Sequence, residues 1–188
     1  TIKIGIIRAE ADSEKELPEK LYSLILDKKE HSGDGKFNFG LSVHGLTGFD
    51  RQKTGLNLKK KLAAAGVSSR LVVSREEILS SVVVAQNKLL NRGIEIVLAK
   101  DKGKILIGET LAVQPFKDLS RRDYGRPARD EHSGMLPPKL AQIMINLACL
   151  DDQAELLADP FCGSGTVLSE ALLLGYKNLA GSDISPKA

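Results

Sequence analysis

Residues that would mark a secreted, membrane-spanning or metal-binding protein are scarce in this sequence. Cys149 and Cys162 are the only cysteines among 188 residues, which excludes a disulfide framework and a cysteine-rich metal site and is typical of a reducing compartment. No apolar run approaches the roughly 20 residues that a membrane span requires, and no secretory signal opens the chain. The composition therefore predicts a globular cytoplasmic protein without a membrane partner.

Net charge is also low, at +3, but the basic residues are unevenly distributed. The segment 51–75 is basic and contains no acid, so it could contact phosphate groups, although a solvated helix face explains its lysines equally well. Arginines crowd segment 114–135, where they suit either phosphate contacts or a solvated crossing between domains. The residues that the sequence favours for nucleic-acid contact are Lys53, Lys59, Lys60, Lys61, Arg70, Arg121, Arg122 and Arg126.

A strand, a tight turn and a helix are predicted around two glycines near the end of the chain. An apolar run leads to Asp159, Gly163 and Gly165 follow with G-x-G spacing, and an apolar helix begins near Thr166. Glycines here let a ligand lie against the backbone, and the helix directs unpaired N–H groups at the turn. Asp183 would close the next strand, where an acid can accept hydrogen bonds from ribose hydroxyls.

The spacing of this turn discriminates between nucleotide cofactors. A phosphate-binding P-loop requires a lysine after its last glycine, and none follows Gly165. A dinucleotide fingerprint requires a third glycine where Leu168 stands, which disfavours a nicotinamide-dependent oxidoreductase. S-adenosylmethionine fits, because it has a ribose and no phosphate. A simple packing corner between strand and helix stays open as the alternative.

Apolar patterns predict an α+β unit over residues 1–113. Strands are expected at residues 1–8, 37–43, 71–73, 94–99 and 105–113, the last two joined by a hairpin at 101–104. In the first strand, Ile2, Ile4 and Ile6 would form the buried face. Helices are expected from Pro18, over 56–65 and from a capping box at 74–77.

The rest of the chain is predicted to contain an irregular segment and a further helix. Proline and glycine would keep residues 114–135 irregular. A helix would then start at Pro137, with prolines in its first turn. An apolar stripe along this helix would pack on a sheet, and it consists of Leu140, Ile143, Met144, Leu147 and Ala148.

Two stretches of the sequence resemble one known family. The first is RDYGRP at 122–127 together with GMLPPKLA at 134–141, and the second is DPFCGSGT at 159–166 with Glu170 and Ala171. Both resemble the THUMP-domain RNA methyltransferases that modify the exocyclic N2 of a guanosine in tRNA, particularly the archaeal and eukaryotic type acting at position 10. The resemblance covers nearly the whole chain but only the opening of the catalytic domain.

The resemblance implies an α/β and α+β architecture, in which a THUMP-like α+β domain precedes the start of a Rossmann-like class I methyltransferase domain. Residues 1–30 would end a ferredoxin-like segment, and residues 31–115 would form the THUMP-like RNA-binding domain. Residues 116–135 would be a linker, and residues 136–188 the N-terminal part of a truncated methyltransferase domain.

The resemblance also assigns roles to residues. Residues 159–166 would hold the methionine part of S-adenosyl-L-methionine, Asp183 its ribose and Ile184 its adenine, while Leu136 and Pro137 would border it. The cofactor-binding residues implied in this way are Leu136, Pro137, Asp159, Phe161, Cys162, Gly163, Ser164, Gly165, Thr166, Asp183 and Ile184. The THUMP-like region, including the lysines at 59–61, would hold the acceptor end of a tRNA, and no metal is implied.

Catalytic residues are expected outside this sequence. Family members carry a later Asp-Pro-Pro-Tyr type loop, whose acceptors orient the guanine amine as it attacks the sulfonium methyl group. The Asp-Pro pair here is Asp159-Pro160, which Phe161 follows, so the chain is expected to be an inactive fragment cut at both ends. Two alternatives stay open: an enzyme of the same fold acting on an rRNA guanine or a DNA amine, and a non-catalytic nucleic-acid-binding module.

Overall fold

The computed structural model describes residues 2–33, 35–125, 135–148 and 156–185. The chain divides into two compact units, Thr1–Gln114 and Pro115–Ala188, and each is described here by itself. Within the described residues, no helix is both long enough and apolar enough to cross a membrane.

The first unit is built on a five-stranded mixed sheet in the order β1-β5-β4-β2-β3. Strand β2 pairs in parallel with β3 and β4, whereas β5 pairs antiparallel with β4 and with β1. The elements of this unit are β1 (Lys3–Ala11), α1 (Leu17–Glu30), β2 (Phe37–His44), α2 (Arg51–Ala64), β3 (Ser69–Val72), α3 (Ser81–Gln86), β4 (Gly93–Asp101) and β5 (Lys104–Val113).

Helices α1 and α2 cover one face of this sheet. Leu21 and Ile25 of α1 and Leu58 and Leu62 of α2 are buried in one apolar cluster with the inward-facing residues of β2. The alternation predicted for β2 is confirmed, since Phe37, Phe39, Leu41 and Val43 all lie in that cluster. A pattern of period two places these four side chains on one face of the strand, so this stretch of sequence was sufficient to orient β2. Gly40 and Ser42, on the other face, are buried as well.

The isoleucines of β1 are exposed, and the prediction that they form a buried face is wrong. Ile2, Ile4 and Ile6 are 47%, 66% and 44% exposed. Strand β1 lies at an edge of the sheet, and irregular pairing with β5 shifts its register twice and breaks the alternation. The apolar cluster reaches only the end of the strand, where Ala11 is buried and Ala9 packs partly against it.

The predicted capping box at 74–77 does not start a helix. Helix α3 begins later, after Ser80, whose hydroxyl accepts a hydrogen bond from the Val83 N–H at 3.3 Å. Tertiary contacts hold the preceding segment in a non-helical conformation. Arg51 donates to the Ser74 carbonyl at 2.7 Å, and the Leu79 N–H donates to the buried Ser42 hydroxyl at 2.9 Å. These distant partners outweigh a local capping preference of the order of 1 kcal/mol.

The second unit contains a parallel pair of short strands joined through a helix, a β-α-β arrangement. Strand β6 pairs with β7, and α6 connects them. A small apolar cluster of Ile145, Ala171 and Tyr176 lies between the helices and these strands. The elements are α4 (Phe116–Tyr124), α5 (Pro138–Ala148), β6 (Leu157–Asp159), α6 (Thr166–Leu173) and β7 (Leu179–Gly181).

Two predictions for the second unit are wrong. Residues 116–124, expected to be irregular, form α4, in which Leu119 is buried and Arg122 pairs with a residue of α6. The stripe predicted to pack on a sheet is exposed, because α5 packs against α6 through Ala141 and Ile145 instead. The exposed stripe comprises Leu140, Ile143, Met144 and Leu147.

The apolar cluster under α2 gives a direct test of the first unit. Leu62 is fully buried, so Leu62→Ala should lower the free energy of unfolding by about 2–5 kcal/mol through reduced packing and a residual cavity. Leu56 lies on the same helix but is 46% exposed, and Leu56→Ala should cost about 0.5 kcal/mol or less. Urea denaturation of both variants measures the difference, and equal decreases would contradict this packing.

Candidate functional site

The G-x-G turn leaves open space above both of its glycines. Strand β6 ends at Asp159, and the turn closes with a hydrogen bond of 2.8 Å from the Gly165 N–H to the Cys162 carbonyl. Gly163 and Gly165 have φ values of +48° and +76°, and no atom lies within 4 Å of a β-carbon built on either. Both positions suit glycine, and a ligand can approach their backbone closely.

The first turn of α6 follows directly, as predicted. Helix α6 begins at Thr166, with Gly165 in the left-handed conformation at its N-cap. The Ser169 N–H donates to the Gly165 carbonyl at 2.8 Å, which joins the turn to the helix. Ser164 is exposed and Thr166 is half-buried. The N–H groups of a first helical turn point out of the helix, here toward the preceding turn.

Asp183 lies beside the turn, just beyond the end of β7. Its carboxylate accepts hydrogen bonds from the Ser185 N–H at 2.8 Å and the Gly163 N–H at 2.9 Å. These backbone donors, Ser185 first and Gly163 second, lower the pKa of the Asp183 carboxyl below its usual range. An ionised carboxylate has about four acceptor positions, so two backbone donors leave it able to accept from a further hydroxyl.

Backbone hydrogen bonds join the turn to the segment after β7. The Cys162 N–H donates to the Ser182 carbonyl at 2.9 Å, and the Ser182 N–H donates to the Asp159 carbonyl at 3.0 Å. Sequence reasoning missed Gly181, where a β-carbon would lie 2.5 Å from a Leu168 methyl carbon. The sequence does contain an indication of this contact, because a glycine in a strand, here directly before Ser182 and Asp183, marks close approach of another element.

The remaining predicted cofactor residues lie around the turn or just before α5. Asp159 accepts from the Phe161 N–H at 3.1 Å, which fixes the entry to the turn. Phe161 and Ile184 are almost fully exposed. Cys162 is partly buried against Gly181. Leu136 and Pro137 immediately precede α5. Their contact with a cofactor stays a prediction.

The basic residues of the first unit fall into two groups. Lys53, Lys59 and Lys60 on α2 and Arg70 on β3 are exposed, and we refer to these four as the α2 basic surface. Lys61 is different, because it pairs with Glu19 at 2.7 Å and lies 4.3 Å from the centre of the Tyr22 ring. Contact of any of these residues with RNA stays a prediction.

The arginines of the second unit also differ from one another. Arg121 is exposed on α4, whereas the Arg122 guanidinium donates to the buried Glu170 carboxylate at 2.8 Å. Arg122 therefore has a structural role in addition to any contact with a nucleic acid. Arg126 lies outside the described residues. Nothing in the described part of the chain groups three or more histidine, cysteine, aspartate or glutamate side chains around a metal site.

A buried polar cluster in the first unit was also missed by sequence reasoning. Glu95 is fully buried in β4, where its carboxylate accepts from the hydroxyls of Ser42 at 2.5 Å and Thr110 at 2.7 Å and pairs with Lys3. Together with a groove of about 530 Å³ beside it, this cluster lies entirely within residues 1–114. Since its acceptors are satisfied, it serves to hold four elements of the unit together.

Residues 126–183 match the family model of the RMKL-like methyltransferase domain. The tRNA (guanine(10)-N2)-dimethyltransferase of Methanocaldococcus jannaschii is 35% identical over 85 residues, which cover 43% of this chain and 24% of that protein. The ribosomal RNA large subunit methyltransferase K/L of Colwellia psychrerythraea is 40% identical over 65 residues, covering 33% of this chain and 9% of that protein. The match thus spans no more than a quarter of either relative.

A solved structure shares the fold. The crystal structure of TrmN from Thermus thermophilus superposes with a TM-score of 0.53 at 19% identity, covering 98% of this chain and 50% of that one. The predicted fold class is confirmed at this level. The assignment of residues 31–115 as a THUMP-like domain stays a prediction. The segment that carries the G-x-G turn and Asp183 therefore resembles a methyltransferase domain in sequence, within a chain whose fold resembles half of the TrmN structure.

The lowered pKa of Asp183 predicts how the turn responds to acid. A carboxyl whose pKa is lowered in the folded state contributes stability above its ordinary pKa and loses this contribution as the pH falls through the folded pKa. The NMR shift of the Gly163 amide proton should thus titrate with a midpoint below the ordinary aspartate range. In Asp183→Asn, this titration should disappear. A midpoint at or above the ordinary range would contradict the two hydrogen bonds.

Proposed function

We propose that this chain is the RNA-binding and cofactor-binding part of an S-adenosylmethionine-dependent methyltransferase that modifies the exocyclic N2 of a guanosine in tRNA. The observation that carries the proposal is the turn between β6 and α6, which combines open space above Gly163 and Gly165 with the ionised Asp183 beside it. The sequence match of residues 126–183 to a methyltransferase domain covers this site.

The site fits S-adenosylmethionine through features of the described residues. Ribose hydroxyls need an acceptor, and Asp183 retains acceptor capacity at the end of β7. The methionine part requires close backbone approach, which the two glycines allow. Ile184 is fully exposed directly after Asp183, where a flat adenine ring could cover its side chain. When bound, the cofactor supplies an electrophilic methyl group on a sulfonium sulfur.

The chain's own contribution to the reaction is positioning. The turn and Asp183 would hold the methyl group at a fixed place relative to α6, and placement of this kind lowers the entropic barrier of a displacement. A guanine amine is a weak nucleophile, because its lone pair is delocalised into the ring, so it needs acceptors that orient it. An Asp-Pro-Pro-Tyr type loop would supply them, and the 188 residues contain no such sequence.

Support for an RNA substrate comes from the relatives and from the α2 basic surface. One of the matched relatives is named as a tRNA (guanine(10)-N2)-dimethyltransferase and the other as a ribosomal RNA methyltransferase. Exposed lysines and an arginine suit contacts to phosphates, which contribute affinity without reading sequence.

Methylation of an rRNA guanine is the second candidate function. A methyl-transfer assay on the intact enzyme that offers a tRNA and an rRNA fragment together distinguishes the two.

Asp183→Ala tests the cofactor site. It should weaken S-adenosylmethionine binding, because the ribose hydroxyls and the Gly163 N–H would lose a charged acceptor. Calorimetric titration of the intact protein measures the affinity. Asp118→Ala removes an exposed carboxylate of the same unit and serves as the matched control. If both variants bound the cofactor as tightly as the unchanged protein, the ribose site would lie elsewhere.

Charge reversal tests the RNA surface. Lys59→Glu with Lys60→Glu should lower tRNA affinity, and the slope of log affinity against log salt should fall by roughly 0.7–0.9 for each phosphate that the protein no longer neutralises. Filter binding at several salt concentrations gives the slope. Lys15→Glu with Lys177→Glu changes the net charge equally at exposed positions outside the α2 basic surface. A similar change in both pairs would assign the effect to net charge alone.

A further inference from the structure

A single buried carboxylate connects the three helices of the second unit. Glu170, in the second turn of α6, is 2% exposed. One of its oxygens accepts from the Arg122 guanidinium of α4 at 2.8 Å, and the other accepts from the Gln142 amide of α5 at 2.7 Å. Each donor comes from a different helix, so the carboxylate fixes α4 and α5 to α6 simultaneously.

Among the described residues, few apolar side chains are fully buried around α6, which makes these two hydrogen bonds more important. Ile145, Ala171 and Tyr176 are the buried residues described in this cluster, and four partly buried residues pack against them: Leu157, Val167, Leu174 and Leu179. By comparison, sixteen buried residues form the main cluster of the first unit. Hydrogen bonds to a charged group are roughly twice as strong as bonds between neutral groups. The orientation of α6 therefore depends on Glu170 more than it would in a larger core.

Glu170 is also close to the cofactor turn along the helix. It follows Thr166 by four residues, a rise of about 6 Å along the axis. The helix begins at the G-x-G turn, to which the Ser169 N–H is bonded. A rotation or shift of α6 would thus move Gly165 and the first N–H groups of the helix, which are the groups that a ligand in the turn would meet.

We infer that Glu170 is a positioning residue for the cofactor site, which it acts on through Arg122 and Gln142 by fixing α6 against α4 and α5. The inference rests on the proposed function, because it concerns the turn assigned to S-adenosylmethionine. Glu170 itself touches neither a cofactor nor a reacting atom. A consequence is that α4, the helix that carries the exposed Arg121, is joined to the helix that begins at the cofactor turn.

Glu170→Gln tests the inference in the intact protein. The substitution preserves size but removes the charge, so the hydrogen bond from Arg122 weakens, and the Gln142 amide must turn over to accept from the new donor instead of donating. Amide hydrogen exchange at Gly163 and Gly165, whose N–H groups are hydrogen-bonded in the turn, should accelerate roughly tenfold or more, while exchange in the first unit should stay unchanged. Affinity for S-adenosylhomocysteine, measured well below the melting temperature, should fall roughly ten- to a hundredfold.

A second variant distinguishes positioning from a general loss of stability. Glu170→Gln combined with Gln142→Glu moves the carboxylate from α6 to α5 and retains a hydrogen bond between the two helices near Arg122. This double variant should restore the amide exchange rates of the turn and the affinity for S-adenosylhomocysteine to within about threefold of the wild-type protein, because substitutions at contacting residues are not additive. Asp118→Asn removes a carboxylate from the same unit and should leave both measurements unaltered.

The outcomes separate this inference from the proposed function. Unchanged exchange at Gly163 and Gly165 in Glu170→Gln would overturn the positioning role, as would a double variant as impaired as the single one. Should the unchanged protein fail to bind S-adenosylhomocysteine, the proposed function fails, while the exchange measurement still decides the positioning role. If Glu170→Gln does not fold, Arg122→Gln can be used instead, with Lys177→Gln as its control. The amide exchange of the turn and the affinity for S-adenosylhomocysteine then test the positioning role in the same way.

Discussion

The contact between Asp183 and the Gly163 N–H is the interaction on which the candidate site depends. Strands β6 and β7 contribute only three residues each, and a pair this short is weak by itself. The carboxylate at the end of β7 fastens the turn that follows β6, and the Cys162 and Ser182 backbone groups add to the same junction. One side chain thereby holds the turn in place and remains able to accept from a ligand.

Gly181 lies where α6 and the turn approach the end of β7 closely. A β-carbon at Gly181 would lie 2.5 Å from a Leu168 methyl carbon and 3.1 Å from the Cys162 β-carbon, so the Leu168 side chain would have to move. The two glycines of the turn face open space and are suited to a ligand, whereas Gly181 faces packed side chains. Glycines of the same motif therefore serve different purposes.

Different interactions stabilise the two units. The first has an extensive apolar cluster beneath α1 and α2, with Glu95 satisfied by hydroxyls and Lys3 among its strands. Among its described residues, the second has a smaller cluster, together with charged and backbone hydrogen bonds at Glu170 and Asp183. Hydrogen bonds are directional, whereas apolar burial is not, so a site built on them gains a defined geometry from few residues.

The sequence by itself determined the features that depend on near neighbours along the chain. Period-two alternation identified β2, glycine spacing identified the turn, and the order of Asp159, the turn and Asp183 identified the β-α-β arrangement. Only the tertiary structure decided which apolar faces are covered and which basic residues are engaged. Ile4 is exposed because its strand lies at a sheet edge, and Arg122 differs from Arg121 because Glu170 of another helix faces it. Such partners are distant in sequence, so no local pattern records them.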